Sequence, residues 1–67
     1  MNSKIIKVND NYNVKITYND NSYTRYYRLI DNNNKVVCDS YNRDSFLIKA
    51  NKIVKLTNNI ELLIASI

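Results

Sequence analysis

The residues best suited to bind a ligand or partner lie in the hexamer at positions 23–28, which contains three tyrosines and two arginines. Tyrosine rings stack on planar groups such as nucleobases, and arginine or lysine side chains hold phosphates and carboxylates. Tyrosine and arginine also supply much of the binding energy at protein interfaces. The hexamer therefore predicts a binding surface.

A catalytic centre is not expected. The sequence has no histidine, which is the side chain most often used for acid–base chemistry at neutral pH. Its one cysteine, Cys38, stands in an apolar run without an evident base, which is typical of a small buried side chain. Without glycine, no phosphate-binding loop can be recognised. We predict that the protein is not an enzyme and uses no metal or cofactor.

Clusters of asparagine and aspartate divide the sequence into short segments, as turns do. Asparagine occurs 13 times, whereas glycine and proline are absent. Asparagine and aspartate also adopt left-handed backbone geometry readily, so we expect them at the turns. The segments between the clusters are residues 4–8, 12–18, 23–30 and a fourth around Val36 and Cys38. Apolar residues alternate with polar ones, most clearly in residues 12–18, which predicts β-strands.

Loop length sets the register between these strands, and the register decides which side chains share a face. Two loops contain an even number of residues, which predicts that Tyr18 lies opposite Tyr23 and that Leu29 lies opposite Val36. Arg25 is then the one charged residue of its strand on the inward face, so it must reach an edge or find a partner. A bulge in either turn would exchange the two faces.

The opposite face of the predicted sheet is cationic and carries an aromatic ring. Its predicted members are Lys15, Thr17, Thr24, Tyr26, Arg28, Ile30, Lys35 and Val37. Arg25 joins this face in the exchanged register, together with Tyr23 and Tyr27. The predicted partner-binding residues are Lys15, Arg25, Tyr26, Arg28 and Lys35.

The C-terminal third allows two readings. Residues 43–56 place their apolar side chains on one side of a helical wheel and their lysines on the other, which predicts an amphipathic helix. The alternative is two short strands, which would make the protein an all-β barrel of the SH3-like or OB-like type. Residues 60–67 are apolar on both faces and predict a C-terminal strand, either central in its sheet or at a subunit contact.

The preferred fold is a single α+β domain over residues 1–67. It consists of a small four-stranded antiparallel meander, a C-terminal strand, and one helix packed on the inward face of the sheet. The predicted core residues are Val14, Ile16, Tyr27, Leu29, Val36, Phe46, Ala50, Ile53, Leu62 and Ile64.

Charge and composition bear on the partner. The net charge of +4 favours polyanions and acidic surfaces. Asparagine, lysine, isoleucine and tyrosine have A/T-rich codons, which indicates an AT-rich genome such as that of a low-GC bacterium or its phage. Small non-catalytic proteins of such elements act by covering a host enzyme, as anti-CRISPR and other anti-defence proteins do. By this analogy we predict an inhibitor that binds a host protein or nucleoprotein. The alternative is direct binding of single-stranded DNA or RNA.

The remaining expectations concern location and assembly. The basic start of the sequence is not followed by the apolar segment of a signal peptide, and no apolar run approaches the length that spans a bilayer. We therefore predict a protein of the host cell cytoplasm with no membrane partner. The apolar run from Ile60 to Ile67 predicts a contact through which a homodimer forms.

Overall fold

A computed structural model describes residues 2–67 of the chain. The elements are the strands β1 (Asn2–Lys7), β2 (Tyr12–Tyr18), β3 (Arg25–Asp31) and β4 (Val36–Ser40), followed by the helices α1 (Arg43–Asn51) and α2 (Asn58–Ala65). The strands form one antiparallel sheet in the order β1-β2-β3-β4. The predicted α+β class and four-stranded antiparallel meander are confirmed.

Asparagine and aspartate side chains build the turns of the sheet. Between β1 and β2, the side-chain oxygen of Asn9 accepts hydrogen bonds from the backbone amides of Asn11 (2.8 Å) and Tyr12 (2.9 Å). Between β3 and β4, Asn34 has a φ of 63°, the left-handed geometry that asparagine tolerates, and Asp31 accepts from the amide of Lys35 at 3.0 Å. The chain thus makes tight turns without glycine.

The register between β2 and β3 differs from the predicted one by two residues. Tyr18 lies opposite Arg25 and Ile16 lies opposite Tyr27, whereas Tyr23 was predicted to face Tyr18. Tyr23 belongs instead to the loop, where it is fully exposed. A shift of two residues leaves every side chain on its predicted face, so Tyr27 and Leu29 still point to the core.

A β-bulge changes the pairing of β3 with β4. Leu29 lies opposite Cys38, but the next residue, Ile30, lies opposite Val36, so Val37 is the extra residue of β4. The predicted pair of Leu29 with Val36 is wrong: Leu29 lies opposite Cys38, and Val36 lies opposite Ile30, whose side chain is on the other face of the sheet. Val36 is accordingly 42% exposed on the edge strand.

Both helices begin at side-chain caps. The side chain of Asn42 accepts from the amide of Ser45 at 2.9 Å at the start of α1, and Thr57 accepts from the amide of Ile60 at 3.3 Å at the start of α2. α1 ends at Asn51, earlier than predicted, and the side chain of Asn51 then accepts from the amide of Leu56 at 2.9 Å.

The predicted C-terminal strand is wrong, because most of that segment lies in α2. Apolar residues on both sides of the segment fit a central strand, but leucine and alanine are also strong helix formers, and Thr57 supplies the N-cap. The all-β barrel is wrong for the same reason, since residues 43–51 and 58–65 are both helical. Two helices, and not one, accompany the sheet.

The core lies between the inward sheet face and the two helices. The predicted core residues that are buried are Val14, Ile16, Tyr27, Leu29, Phe46, Ala50 and Ile64. Val36, Ile53 and Leu62 were predicted to be buried but are exposed. Ile53 follows the end of α1, and Leu62 lies on the solvent side of α2. The buried residues that the sequence pattern did not identify are Ile6 and Leu56 in this core, and Ile30 on the opposite face of the sheet.

Within residues 2–67, neither helix is long and apolar enough to cross a membrane.

Phe46 tests this packing because its side chain is fully buried against the sheet, with its ring centroid 5.6 Å from that of Tyr27. We expect Phe46→Ala to lower the free energy of unfolding by about 3–5 kcal/mol, through lost burial and a cavity. Urea denaturation followed by circular dichroism measures it. The control is Ile48→Ala in the same helix, where the side chain is 62% exposed and the loss should be much smaller. Equal effects of the two substitutions would contradict the placement of α1.

Candidate binding surface on the outer sheet face

The sheet has one covered face and one open face. The side chains of Val14, Ile16 and Leu29 are fully buried in the core that also contains residues of α1 and α2. Strand alternation directs their neighbours to the opposite side, where Lys15 lies across from Arg28. We call this side the outer face. Its residues on the two central strands are Asn13, Lys15, Thr17, Tyr26, Arg28 and Ile30.

Tyr26 is the centre of a cluster on the outer face. Its ring stacks on Tyr41, with centroids 4.7 Å apart and an interplanar angle of 28°. The guanidinium carbon of Arg28 lies 5.1 Å from the centroid of the Tyr26 ring, within range of a cation–π interaction. The hydroxyl of Tyr26 donates a hydrogen bond to the carboxylate of Asp39 on β4. These contacts hold two rings and one cation in a fixed arrangement.

The hydrogen bond to Asp39 raises the pKa of Tyr26 above its ordinary value of 10.0, and desolvation and the negative charge of Asp39 act in the same direction. Tyr26 therefore remains a neutral hydrogen-bond donor at physiological pH. The nearby Cys38 also has a raised pKa, mainly because of burial, although the positive charge of Lys49 opposes the shift. A thiol with a raised pKa is a poor nucleophile at neutral pH.

Arg28 is held from its other side by Thr17. Nη2 of Arg28 donates to the Thr17 hydroxyl oxygen at 3.0 Å, which links β3 to β2. Nε of Arg28 is buried and has no hydrogen-bond partner within the described part of the chain. The guanidinium therefore has a fixed position and retains unused donor capacity.

Three shallow hollows cross the outer face. A hollow of about 310 Å³ lies beside Tyr26 and Tyr41, one of about 240 Å³ lies beside Arg28, and one of about 220 Å³ lies beside Ile30. The first two share Thr17 and the last two share Lys15. The hollows are therefore adjacent to one another and extend from the two rings to the β3–β4 turn.

The structure brings together three of the predicted partner-binding residues and separates two others. Lys15, Tyr26 and Arg28 share the outer face. Lys35 lies in the turn between β3 and β4, where it is exposed. Arg25 lies on the inward side of the central strand β3, where it finds hydrogen-bond partners.

Arg25 connects the sheet to the end of the C-terminal helix. Its Nε donates to the backbone oxygen of Ile67 at 3.0 Å, and its Nη1 donates to the backbone oxygen of Ser22 at 2.9 Å. Its guanidinium carbon also lies 5.1 Å from the centroid of the Tyr18 ring. These bonds give Arg25 a structural role.

Sequence reasoning did not identify Tyr41 and Asp39 as members of the site. Tyr41 stands between β4 and α1, outside any alternating pattern, and the side chain of Ser40 shapes its turn by accepting from the amide of Asn42 at 3.0 Å. Asp39 is the polar residue that follows the apolar run of β4 and lies opposite Arg28. Its position opposite Arg28 depends on the bulge in β4, which no local signal reveals.

No group of three or more histidine, cysteine or acidic side chains within residues 2–67 is arranged to hold a metal ion. Comparison with known proteins finds no family model, no curated protein and no solved structure that matches the chain.

The contrast between Arg25 and Lys35 leads to a prediction. Arg25→Ala leaves backbone carbonyls of Ser22 and Ile67 without their charged donor, so we expect a loss of about 1–3 kcal/mol in the free energy of unfolding. Lys35→Ala removes the same charge from an exposed turn and should change stability by less than about 0.5 kcal/mol. Chemical denaturation of both variants measures this. Equal stability of the two variants would show that Arg25 does not anchor the C-terminal helix.

Proposed function

We propose that the protein is a non-enzymatic inhibitor that docks its outer face on an acidic surface of a host protein or nucleoprotein. The observation that carries this proposal is the ordered cluster of Tyr26, Tyr41 and Arg28, beside Lys15, on a sheet face that neither helix covers.

The order of the cluster favours tight binding. An interface loses free energy when mobile side chains must be fixed, and the cost is lower where they are already held. Stacking, the Asp39 hydrogen bond and the Thr17 hydrogen bond already fix Tyr26 and Arg28. Tyr41 is 71% exposed and offers a large ring surface to a partner. Tyrosine and arginine at the centre of an interface contribute disproportionately to affinity.

The rest of the outer face supports a protein partner. Ile5, on the edge strand opposite Lys15, is 63% exposed, and Val36, on the other edge strand, is 42% exposed. A mixture of aliphatic, aromatic and cationic side chains is typical of protein interfaces. The net charge of +4 would speed association with an acidic surface.

The biological setting follows from size and composition. A chain of 67 residues, rich in residues with A/T-rich codons and without evident catalytic groups, is typical of products of phages and mobile elements. The inhibitor would then act in the cytoplasm of the host cell against a defence or other host enzyme. This part of the proposal rests on analogy and on no similarity to a known inhibitor.

Direct binding of single-stranded nucleic acid is the second candidate. It is favoured by the exposed ring of Tyr41, which stacks on Tyr26, and by two cations on the same face, Lys15 and Arg28, since bases stack on rings while cations contact phosphates. The number of cations on the two central strands of this face is small, and Nη2 of Arg28 already donates a hydrogen bond to Thr17. The protein partner is therefore preferred.

A pair of assays separates the two candidates. For the inhibitor, we expect one host protein to be retained in a pull-down by the wild type and lost with Arg28→Ala or Tyr41→Ala. The controls are Lys35→Ala, which removes one positive charge as Arg28→Ala does, and Tyr23→Ala, which removes a tyrosine ring as Tyr41→Ala does; both residues are exposed in loops outside the cluster. Retention of the same protein by all variants would contradict the role of the outer face.

The second assay is fluorescence anisotropy with labelled oligonucleotides. The inhibitor should show no binding, whereas a nucleic-acid binder that makes about three phosphate contacts would show a log–log salt dependence of about −2 on single strands. Tyr41→Ala would then cost about 1–3 kcal/mol of binding free energy if a base stacks on the ring. Micromolar binding with that salt dependence would replace the preferred function by the second candidate.

The homodimer contact predicted for residues 60–67 would be formed by the helix α2 and not by a strand. Leu62 is 67% exposed and Leu63 is 47% exposed on α2, so an apolar surface remains available to a second copy. We expect light scattering at micromolar concentration to give a dimer mass, and Leu62→Glu to give a monomer mass. A monomer mass for the wild type would reject the dimer without affecting the outer face.

A further inference from the structure

Two like charges lie directly opposite each other at the centre of the outer face. Lys15 on β2 is paired with Arg28 on β3 in the antiparallel register. Like charges in this position destabilise a sheet. Neither cation forms a salt bridge, since those among residues 2–67 join Lys7 to Asp10 and Arg43 to Asp44. Asp39 lies opposite Arg28 on β4, but its carboxylate accepts from the Tyr26 hydroxyl, and Lys15 has no acidic residue opposite it. The fold therefore retains an unfavourable charge pair in its most regular region.

The space beside this pair is rich in hydrogen-bond donors. The hollow of about 240 Å³ is lined by Lys15, Arg28, Thr17 and Ser3, together with Asn2. The Asn2 amide donates to the carboxylate of Asp20 at 2.6 Å, so it contributes less than the others. The Thr17 hydroxyl accepts from Arg28, which leaves its own hydrogen to be donated. Hydroxyls and cations that converge on one hollow are the groups that bind oxyanions.

Arg28 provides an independent indication. Nη2 donates to Thr17, and this is the hydrogen bond that the guanidinium makes within residues 2–67, although a guanidinium carries several N–H donors. Nε is buried and out of a ligand's reach, so the donors available to a ligand are those of the Nη atoms. An anion beside the guanidinium would compensate the positive charge and would accept from donors that Thr17 does not occupy. One bound anion would therefore lie beside both cations and accept from the Nη donors of Arg28 that Thr17 does not occupy.

We propose that the hollow formed by Ser3, Lys15, Thr17 and Arg28 is a binding site for a single oxyanion, either a phosphate or a carboxylate group. The inference deepens the proposed function, because this site is where an acidic group of the partner is anchored. Anion binding itself requires no partner and is measurable on the isolated protein.

The first test is thermal unfolding in sodium phosphate and in sodium chloride at equal ionic strength. A ligand that binds the folded state stabilises it. With a dissociation constant of about 10 mM, 100 mM phosphate would raise Tm by roughly 5–10 °C beyond chloride. Sodium acetate in a parallel series shows whether a carboxylate substitutes for phosphate. A larger effect of acetate assigns a carboxylate site, and a larger effect of phosphate assigns a phosphate site.

Phosphate also stabilises proteins without binding, so the variants are decisive. Lys15→Gln should have two opposite effects. It should raise Tm in low-salt chloride by about 1–4 °C, because it removes the like-charge pair. It should also abolish most of the additional Tm increase in phosphate. Lys35→Gln makes the same charge change in the β3–β4 turn and should change neither quantity.

Arg28→Lys provides a second variant that keeps the charge but removes the planar guanidinium and its paired Nη donors. It should weaken the anion effect at least several-fold, as measured by amide shift changes at residues 3, 15, 17 and 28 in a phosphate titration by NMR. The proposal is overturned if Lys15→Gln retains the full phosphate increment, or if the shift changes lie elsewhere.

The outcomes for the site and for the proposed function are separable. Anion binding by the wild type together with an unchanged pull-down for Arg28→Ala would retain the site and reject the docking face. Loss of the partner with Arg28→Ala, without any anion effect in the isolated protein, would retain the docking face and reject the site.

Discussion

One-sided burial of the sheet is the constraint on which the structure depends. Val14, Ile16 and Leu29 are fully buried in the core with Phe46 of α1, and hydrophobic burial of this kind supplies most of the folding free energy of a small domain. A chain of 67 residues buries only about 60% of its unfolded surface. Two short helices cover one side of the sheet, which leaves the outer face without a layer of its own.

The outer face is ordered through contacts between neighbouring strands. Thr17, Arg28 and Tyr26 connect β2 to β3, and the Asp39 and Tyr41 contacts of Tyr26 continue across β4 into the following loop. The packed core on the inward face restrains the backbone of β2 and β3, and the same strands carry the side chains of the outer face. The most ordered part of the surface is therefore placed on the two central strands, where the sheet is least able to shift.

Much of the sheet could be predicted from the sequence because apolar alternation and asparagine-rich turns are local signals. A register error of two residues did no harm to the assignment of faces, since strand side chains repeat with a period of two. The rest depended on longer-range packing. Leu62 and its neighbours suit a helix or a buried strand by hydrophobicity alone, and the local features that favour the helix are their helix propensity and the cap at Thr57. Tyr41 could not be assigned because its position depends on the bulge at Val37 and on the start of α1.

The order of the strands has a kinetic consequence. In a meander each strand pairs with its neighbour in the chain, so each pairing closes only a short loop and loses little chain entropy. Chains with such local pairings reach the transition state quickly, and we expect hairpins to form on the microsecond scale. Contacts between residues far apart in sequence are made where α2 meets β1 and where Arg25 reaches Ile67. Docking of the C-terminal helix is therefore the step with the largest entropic barrier.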